Sequence, residues 1–277
     1  MEYVSTTSAT EKARAESGDS RFFRVITPAA LMGLCLLWPL VNNSDNTLFT
    51  LLNHSHSPGT DRIWLALTML GDGLVLSVIL GAYLVVNPRV SALGVILIVL
   101  SGIVAQAIKS GFPTIRPAEA LDVVHVVGPL LRSGSFPSGH AASAMAAGLA
   151  VAYYSASRAW SATALALALL ISFSRVFVGA HFPGDVLGGI VLSLASFYLF
   201  VLFVWPRWEP RVPPRPRFRG RVFRAVFGLE LLGALFVLFV YGPYFADAPT
   251  IVAFVALVVL TVLAWGWLSS RRATSPL

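Results

Sequence analysis

Long apolar runs constrain this chain more than any other feature. Of its 277 residues, 56% are hydrophobic and 12% are charged, and several runs are long enough to cross the hydrocarbon core of a bilayer. A soluble protein of this length could not hide so much apolar surface in one core. The sequence therefore predicts a polytopic membrane protein, and an all-α bundle of transmembrane helices as its fold.

Eight segments have the length and composition of a transmembrane helix. They lie near 24–41, 63–86, 90–108, 139–157, 159–177, 185–205, 224–242 and 249–268. We predict a cytoplasmic tail over 1–23, a six-helix core over 24–205, a linker rich in proline and arginine over 206–223, a C-terminal helix pair over 224–268 and a tail over 269–277. The first span is expected to be retained, because acidic residues precede it and no small-residue cleavage site follows it.

Lysine and arginine predict the orientation of these spans. With a cytoplasmic N-terminus, fifteen of the twenty basic residues fall on the inner side, seven of them between Arg207 and Arg224. The five on the outer side are Arg62, Lys109, Arg116, Arg132 and Arg175. Both termini are therefore predicted to be cytoplasmic, and the outer basic residues need another explanation.

Three short stretches supply that explanation. They read K-x6-R-P from Lys109, P-S-G-H from Pro137 and S-R-x5-H-x3-D from Ser174. Together they offer three cations, a helix N-terminus, two histidines and a carboxylate, a set that suits an oxyanion attacked by an imidazole. His140 and His181 are 41 positions apart, which allows two antiparallel spans of about 19 residues, roughly 28 Å each, to return the chain to the same face.

The second and third stretches each predict a helix start. Ser138 is a plausible N-cap, and the free N–H groups that follow it, with Gly139 allowing close approach, make an anion site. In the third stretch Pro183 is expected to begin a helix with Asp185 in its first turn. From there Asp185 can accept a hydrogen bond from one ring nitrogen of His181 and leave the other nitrogen free to attack. The alternatives are an ordinary capped helix and a simple helix-starting carboxylate.

Lys109, Arg116 and Arg175 are predicted to bind the phosphoryl oxygens, the arginines through paired hydrogen bonds and the lysine as a point charge. Pro113 should prevent Lys109 and Arg116 from sharing one continuous helix. The alternative is that all three are interfacial residues that extend toward water. Their place on the outer side, where basic residues are otherwise few, argues against it.

The three stretches resemble the signature of the type 2 phosphatidic acid phosphatase superfamily, over roughly residues 60 to 205. The resemblance implies that His181 forms a phosphohistidine, oriented by Asp185, and that His140 protonates the leaving oxygen and later activates water. It also implies that Lys109, Arg116, Ser138, Gly139 and Arg175 bind the phosphoryl oxygens. It requires neither a metal nor another cofactor. The extra C-terminal helix pair lies outside the superfamily's common six-helix core.

The resemblance implies an integral lipid phosphatase at the periplasmic face of a bacterial inner membrane. Admissible substrates are an isoprenyl diphosphate, phosphatidic acid, phosphatidylglycerophosphate and the lipid A phosphates, with the tail left in the bilayer. No nucleic-acid partner is expected. The alternatives are a lipid phosphotransferase that uses the same intermediate, a soluble-type haloperoxidase, which the spans oppose, and a non-catalytic lipid-binding protein, which the two histidines oppose.

A few polar residues fall outside these stretches. Asp72 lies in the second apolar run, where a carboxylate is costly unless paired or facing a cavity. We expect it to bond a neighbouring helix, and the alternative is that it borders the headgroup pocket. His54 and His56 are expected to be solvated, and His125 is given no catalytic role. The single cysteine, Cys35, excludes an intramolecular disulfide.

Overall fold

The structure is a computed structural model that describes residues 20–43, 45–132 and 134–214, together with scattered helical positions between 228 and 264. Its helices are α1 (Ser20–Asn43), α2 (Asp45–Asn53), α3 (Pro58–Leu70), α4 (Gly73–Ala82), α5 (Pro88–Gly111), α6 (Pro117–Ala120), α7 (Gly139–Tyr154), α8 (Arg158–Phe177) and α9 (Pro183–Leu199). Beyond α9 the helical path continues through short turns to Arg211. The described part of the chain contains no β-strand, which confirms the predicted all-α class.

Four of these helices are long and apolar enough to cross a membrane: Val25–Asn42, Pro88–Gly111, Arg158–Phe177 and Pro183–Arg211. Apolar side chains cover their outer surfaces; Val25 and Leu36 of α1, for example, are each 71% exposed. Such a surface is unfavourable in water and suits contact with lipid. The chain is therefore a helical membrane protein, as the apolar runs predict.

The second apolar run is broken, where the sequence predicts one continuous span over 63–86. Helices α3 and α4 pass the same test for length and composition together, but they meet at a bend of 65°. The bend lies at Gly71 and Asp72, where the Asp72 carboxylate accepts the backbone N–H groups of Leu74 (2.8 Å) and Val75 (3.2 Å). Asp72 thus starts a new helix as its N-cap, and this local hydrogen bonding competes with a continuous α-helix.

The short helix α7 lies at the centre of the bundle, between α5, α8 and α9. Nearly all of its side chains are buried, and most of them are alanine, glycine or serine. Small residues let the neighbouring backbones approach closely; a Cβ on Gly148 would lie only 2.8 Å from the Cβ of Ala168. The helix ends at Tyr154 rather than at 157 as predicted, because Ser157 already caps α8.

A polar cluster joins the helix ends opposite the three sequence stretches. The indole Nε1 of Trp205 donates to the Tyr154 hydroxyl (2.7 Å), which donates to Glu209 (2.7 Å). Arg89 at the start of α5 lies 3.5 Å from the same carboxylate. These contacts fix the ends of α5, α7 and the extension of α9 to one another.

Several predicted segments lie outside the described residues. They are residues 1–19 of the N-terminal tail, residues 215–223 of the basic linker, the C-terminal tail, and all but scattered positions of the helix pair over 224–268.

Candidate active site

The three sequence stretches meet at one end of the bundle, where α5 and α8 end and α7 and α9 begin. They surround a cavity of about 270 Å³. Six of the eight predicted site residues line it: Lys109, Arg116, Gly139, His140, Arg175 and His181. The other two, Ser138 and Asp185, are buried behind the lining. The hairpin arrangement predicted from the sequence thus brings the stretches together.

His181 is held in a tight turn between α8 and α9. Its backbone N–H and that of Ala180 donate to the carbonyl of Arg175 over 3.2 and 3.0 Å, and Gly179 supplies the positive φ of 74° that the turn requires. His181 as a whole is 2% exposed. Its Nδ1 lies 3.5 Å from Oδ2 of Asp185, so the carboxylate stands on one side of the ring and Nε2 lies on the other.

Asp185 connects the second and third stretches. It lies in the first turn of α9, which begins at Pro183 as predicted. Its Oδ2 accepts the Ser135 hydroxyl (2.5 Å) and the backbone N–H of Phe182 (2.9 Å), while its backbone carbonyl accepts the N–H of Ser138 (2.9 Å). These bonds fix the carboxylate that faces His181.

Arg116 and Lys109 both donate hydrogen bonds to the loop that precedes Pro137. The guanidinium of Arg116 donates to the carbonyls of Ala180 (2.8 Å) and Gly134 (3.2 Å), and its Nη1 lies 3.3 Å from Nε2 of His181. The Lys109 ammonium donates to the same Gly134 carbonyl over 2.6 Å. Helix α5 ends at Gly111, so the two cations do not share a continuous helix, as Pro113 predicts.

Arg175 comes from the last turn of α8. It is 6% exposed, and its Nη1 donates to the Thr68 hydroxyl of α3 over 2.6 Å. Helix α3 therefore positions a cation of the cavity, a contribution that the sequence analysis did not predict.

The N-terminal end of α7 borders the cavity. The Ser138 hydroxyl accepts the N–H of Ala141 (3.4 Å), which confirms the predicted N-cap. That hydroxyl is fully buried and Ser138 does not line the cavity, whereas Gly139 does. Helix α9 passes so close that a Cβ on Gly189 would lie 2.3 Å from the Ser138 carbonyl oxygen.

His140 faces a carboxylate across the cavity. Its Nε2 lies 3.9 Å from Oδ2 of Asp72, the N-cap residue of α4. Asp72 also lines the cavity, so it borders the pocket while it caps a helix. Of the two interpretations offered by the sequence, the structure supports the carboxylate that borders the pocket. The side-chain hydrogen bonds of Asp72 are made to its own helix α4, and the break between α3 and α4 places the carboxylate there.

Positive charge dominates the cavity. Three cations line it, and Asp72 is the one carboxylate among the described lining residues. Burial, reinforced by Arg175, Arg116 and Lys109, holds the pKa of His181 well below its ordinary value. A neutral imidazole between cations is suited to meeting an anion, whereas a metal cation would prefer more carboxylate or thiolate donors.

Three residues outside the predicted set, Asp72, Ser135 and Thr68, also support the site. Asp72 can be recognised in the sequence, because a carboxylate within an apolar run requires a partner or a cavity. Ser135 and Thr68 have none, because their contacts with Asp185 and Arg175 span 50 and 107 positions. A serine or threonine outside any motif gives no indication in the sequence that it makes such a contact.

The fold and the cavity define a class, namely helical membrane proteins with a cavity lined by cations and histidines at one end of the bundle. Residues 90–209 match the family model of the PAP2 superfamily. The match covers both histidines, the three cations and Asp185.

Two curated relatives are similar to the chain. It is 36% identical to Undecaprenyl-diphosphatase BcrC of Bacillus subtilis over 80 residues, which cover 29% of this chain and 40% of that protein. It is 26% identical to an undecaprenyl-diphosphatase of Sulfolobus acidocaldarius over 169 residues, 60% of this chain and 75% of the relative. The chain thus spans well under half of the first relative and three quarters of the second.

Two solved structures share the fold. LpxE of Aquifex aeolicus is 28% identical, with a TM-score of 0.52, over 56% of this chain and 93% of that one. A transmembrane PAP2-type phosphatidylglycerolphosphate phosphatase from Bacillus subtilis is 23% identical, also with a TM-score of 0.52, over 70% of this chain and 99% of that one. The helical membrane fold predicted from the sequence is confirmed.

Proposed function

We propose that this protein is a membrane lipid phosphatase that hydrolyses a lipid phosphate monoester or diphosphate through a phosphohistidine intermediate. One observation carries the proposal: the buried His181 lies between a fixed carboxylate and a cavity lined by three cations. The names of the relatives support the reaction class, since two are called undecaprenyl-diphosphatases and one solved structure a phosphatidylglycerolphosphate phosphatase.

In the first step Nε2 of His181 attacks phosphorus, and the bond from phosphorus to the leaving oxygen breaks. Asp185 stabilises the positive charge that develops on the ring through Nδ1, 3.5 Å away. Lys109, Arg116 and Arg175, with the N–H groups at the start of α7, stabilise the charge on the non-bridging oxygens. His140 donates a proton to the leaving oxygen.

In the second step water attacks the phosphohistidine. His140, now neutral, takes a proton from that water, the bond from phosphorus to Nε2 breaks, and His181 returns with inorganic phosphate as the product. In the phosphotransferase alternative a lipid hydroxyl takes the place of water. Each step uses groups of this chain, and we propose that no metal takes part.

We propose that Asp72 positions His140 and supplies its counter-charge. A general acid must carry a proton, yet His140 shares its cavity with three cations and a second imidazole. Asp72, 3.9 Å from Nε2, offsets this repulsion. With one ring N–H directed at Asp72, the other is left to protonate the leaving oxygen.

The cavity favours a substrate whose tail stays in the bilayer. Gly102 and Gln106 of α5 line it and are exposed, and the next turn of α5 presents Val99 and Ile103 at 52% and 63% exposure. The cavity therefore opens beside an apolar helix face, where an acyl or isoprenyl chain can lie. An isoprenyl diphosphate is the first candidate by the relatives' names, followed by phosphatidic acid, phosphatidylglycerophosphate and lipid A phosphates.

We propose a bacterial inner-membrane location, and the distribution of basic residues supports an orientation with both termini cytoplasmic and the site on the periplasmic face. The six-helix core with an added C-terminal pair is part of the same proposal. The orientation is tested with two variants, His56→Cys and Arg211→Cys, each made in a chain that carries Cys35→Ser. Intact spheroplasts that contain each variant are labelled with an impermeant maleimide. Modification at 56 and not at 211 is expected, and the reverse pattern would overturn the orientation.

The function itself is tested by phosphate release from a panel of these lipid phosphates, with purified protein in detergent and a chelator. His181→Ala is the blank. Release that survives chelation and disappears in this variant is expected, together with an acid-labile phosphate adduct on the wild-type chain. Full activity in His181→Ala would overturn the nucleophile, and loss of activity on chelation would overturn metal independence.

A further inference from the structure

Three side chains of types that can ligate a metal ion lie close together outside the cavity, at the same end of the bundle. His56 lies in the loop between α2 and α3, Asp61 in the first turn of α3, and His125 in the loop between α6 and α7. Their potential ligand atoms all lie within 4.8 Å of one another. The proposed phosphatase chemistry uses none of them.

The contacts within this group, the His56–Asp61–His125 cluster, are close. Nε2 of His125 lies 3.0 Å from Oδ2 of Asp61. The rings of His56 and His125 stack with centroids 3.7 Å apart and planes 8° from parallel. In a tetrahedral zinc site, bonds of about 2.0–2.2 Å place neighbouring ligand atoms roughly 3.4 Å apart. The exposed His56 ring must rotate to bring its ligand atom to this distance from the other two.

The backbone around the cluster is held in place without a metal. Asn53 donates to the carbonyls of His125 (2.8 Å) and Phe177 (3.1 Å), and its side-chain oxygen accepts the N–H of His125 (2.9 Å). Ser57 caps α3 directly after His56, with both capping-box hydrogen bonds present. Two of the three ligands therefore start from fixed positions, which lowers the entropic cost of binding an ion.

Ordinary structural roles explain only part of this arrangement. Asp61 is favourable in the first turn of a helix, and its carboxylate is a hydrogen-bond partner for Nε2 of His125. Neither role explains a second imidazole stacked on the first, with ring centroids 3.7 Å apart. Two imidazoles beside a carboxylate are a donor set for zinc.

The geometry points to a Zn²⁺ site formed by His56, Asp61 and His125, with water as the fourth ligand. A bound ion replaces the hydrogen bond between His125 and Asp61. The site joins the α2–α3 loop to the 121–128 loop. The latter packs on the turn before His181, where the N–H of Val127 donates to the Val178 carbonyl over 3.1 Å.

The test uses the full chain, purified in detergent, freed of any affinity tag and stripped with a chelator. Zinc chloride is titrated by calorimetry, and cobalt chloride by the visible absorption of a tetrahedral Co²⁺ site. His56→Ala is the variant, since His56 is exposed, and His54→Ala is the control, since His54 is equally exposed two positions away and outside the cluster.

One Zn²⁺ per chain is expected for the wild type and for His54→Ala, with a higher melting temperature than in chelator. In His56→Ala the affinity should fall at least about tenfold, while the melting temperature in chelator stays that of the wild type. An absence of stoichiometric binding, or an equal loss in His54→Ala, would overturn the site. Because binding is read without substrate, this outcome is independent of the proposed phosphatase activity.

Discussion

Ser135 donates a hydrogen bond of 2.5 Å to Oδ2 of Asp185, the carboxylate oxygen that also faces Nδ1 of His181 at 3.5 Å. The hydroxyl lies on the loop before Pro137 and the carboxylate on α9, so this bond joins two segments 50 positions apart. Ser135 is fully buried. The orientation of the proposed nucleophile therefore depends on a residue that no sequence motif contains.

Ser135→Ala should lower kcat about tenfold and leave KM nearly unchanged, because the substrate contacts remain while Asp185 loses a charge-assisted hydrogen bond. Steady-state kinetics on the preferred lipid phosphate measure this. Ser101→Ala is the control, since Ser101 is also fully buried but bonds the Ile98 carbonyl of its own helix. Equal kinetics in the two variants would show that the hydroxyl does not orient the carboxylate.

Arg116→Lys should reduce kcat/KM by about tenfold to a hundredfold, although the charge is kept. The guanidinium bonds the carbonyls of Ala180 and Gly134 at once, and a lysine ammonium cannot hold both positions and bind phosphate with a planar fork. Arg132→Lys, at an exposed position of the loop that contains Gly134, is the control. A near-normal rate in Arg116→Lys would show that charge alone suffices.

The sequence predicts the helical class, the convergence of the three stretches and the helix starts at Ser138 and Pro183, because these depend on composition, spacing and local backbone chemistry. It does not predict the break at Gly71 and Asp72. An apolar run of that length favours a continuous span, and the competing cap is a single residue. The Ser135 and Thr68 contacts were also missed, since distant packing alone decides which hydroxyl meets which charge.

Asp72→Asn tests the proposed counter-charge of His140. Asparagine can still cap α4 with its side-chain oxygen, so the fold is kept. We expect kcat on a lipid alkyl phosphate to fall about tenfold to a hundredfold, which is at or below the roughly 10²–10⁴-fold contribution of the general acid itself. The loss should be much smaller on an aryl phosphate, whose leaving group needs little protonation.

His140→Ala provides the comparison for this prediction, since it removes the acid itself and should show the same dependence on the leaving group with a larger amplitude. Asp122→Asn, at an exposed carboxylate away from the cavity lining, is the control. An equal loss on alkyl and aryl phosphates in Asp72→Asn would contradict the positioning role.

Gly189→Ala should damage the site through the backbone. The added methyl group would lie 2.3 Å from the Ser138 carbonyl oxygen and 3.1 Å from the N–H nitrogen of Ala142. Helix α9 must therefore move away from the start of α7, at a cost of about 1–3 kcal/mol. A lower melting temperature and a loss of activity are expected. Gly111→Ala, with open space around its Cβ, should match the wild type, and unchanged stability in Gly189→Ala would refute the close contact.

Asp45 predicts a pH-dependent stability. Its Oδ1 accepts the N–H of Gly184 over 2.8 Å, while burial, aided by the charge of Asp185, raises its pKa from 3.8 to about 6. The folded state therefore binds more protons than the unfolded state between about pH 4 and pH 6. The stability that comes from the protonated group is complete below that range and is lost as the pH rises through it.

Asp45→Asn should consequently be more stable than the wild type at pH 7.5, because asparagine still accepts the Gly184 N–H without a buried charge near Asp185. The difference in melting temperature should shrink as the pH falls from about 6 toward 4, where the wild-type carboxyl is itself neutral. Thermal unfolding in detergent at half-unit pH steps measures this, with Asp122→Asn as an exposed control. A difference that does not change with pH would show that the substitution acts by packing rather than through the ionisation of Asp45.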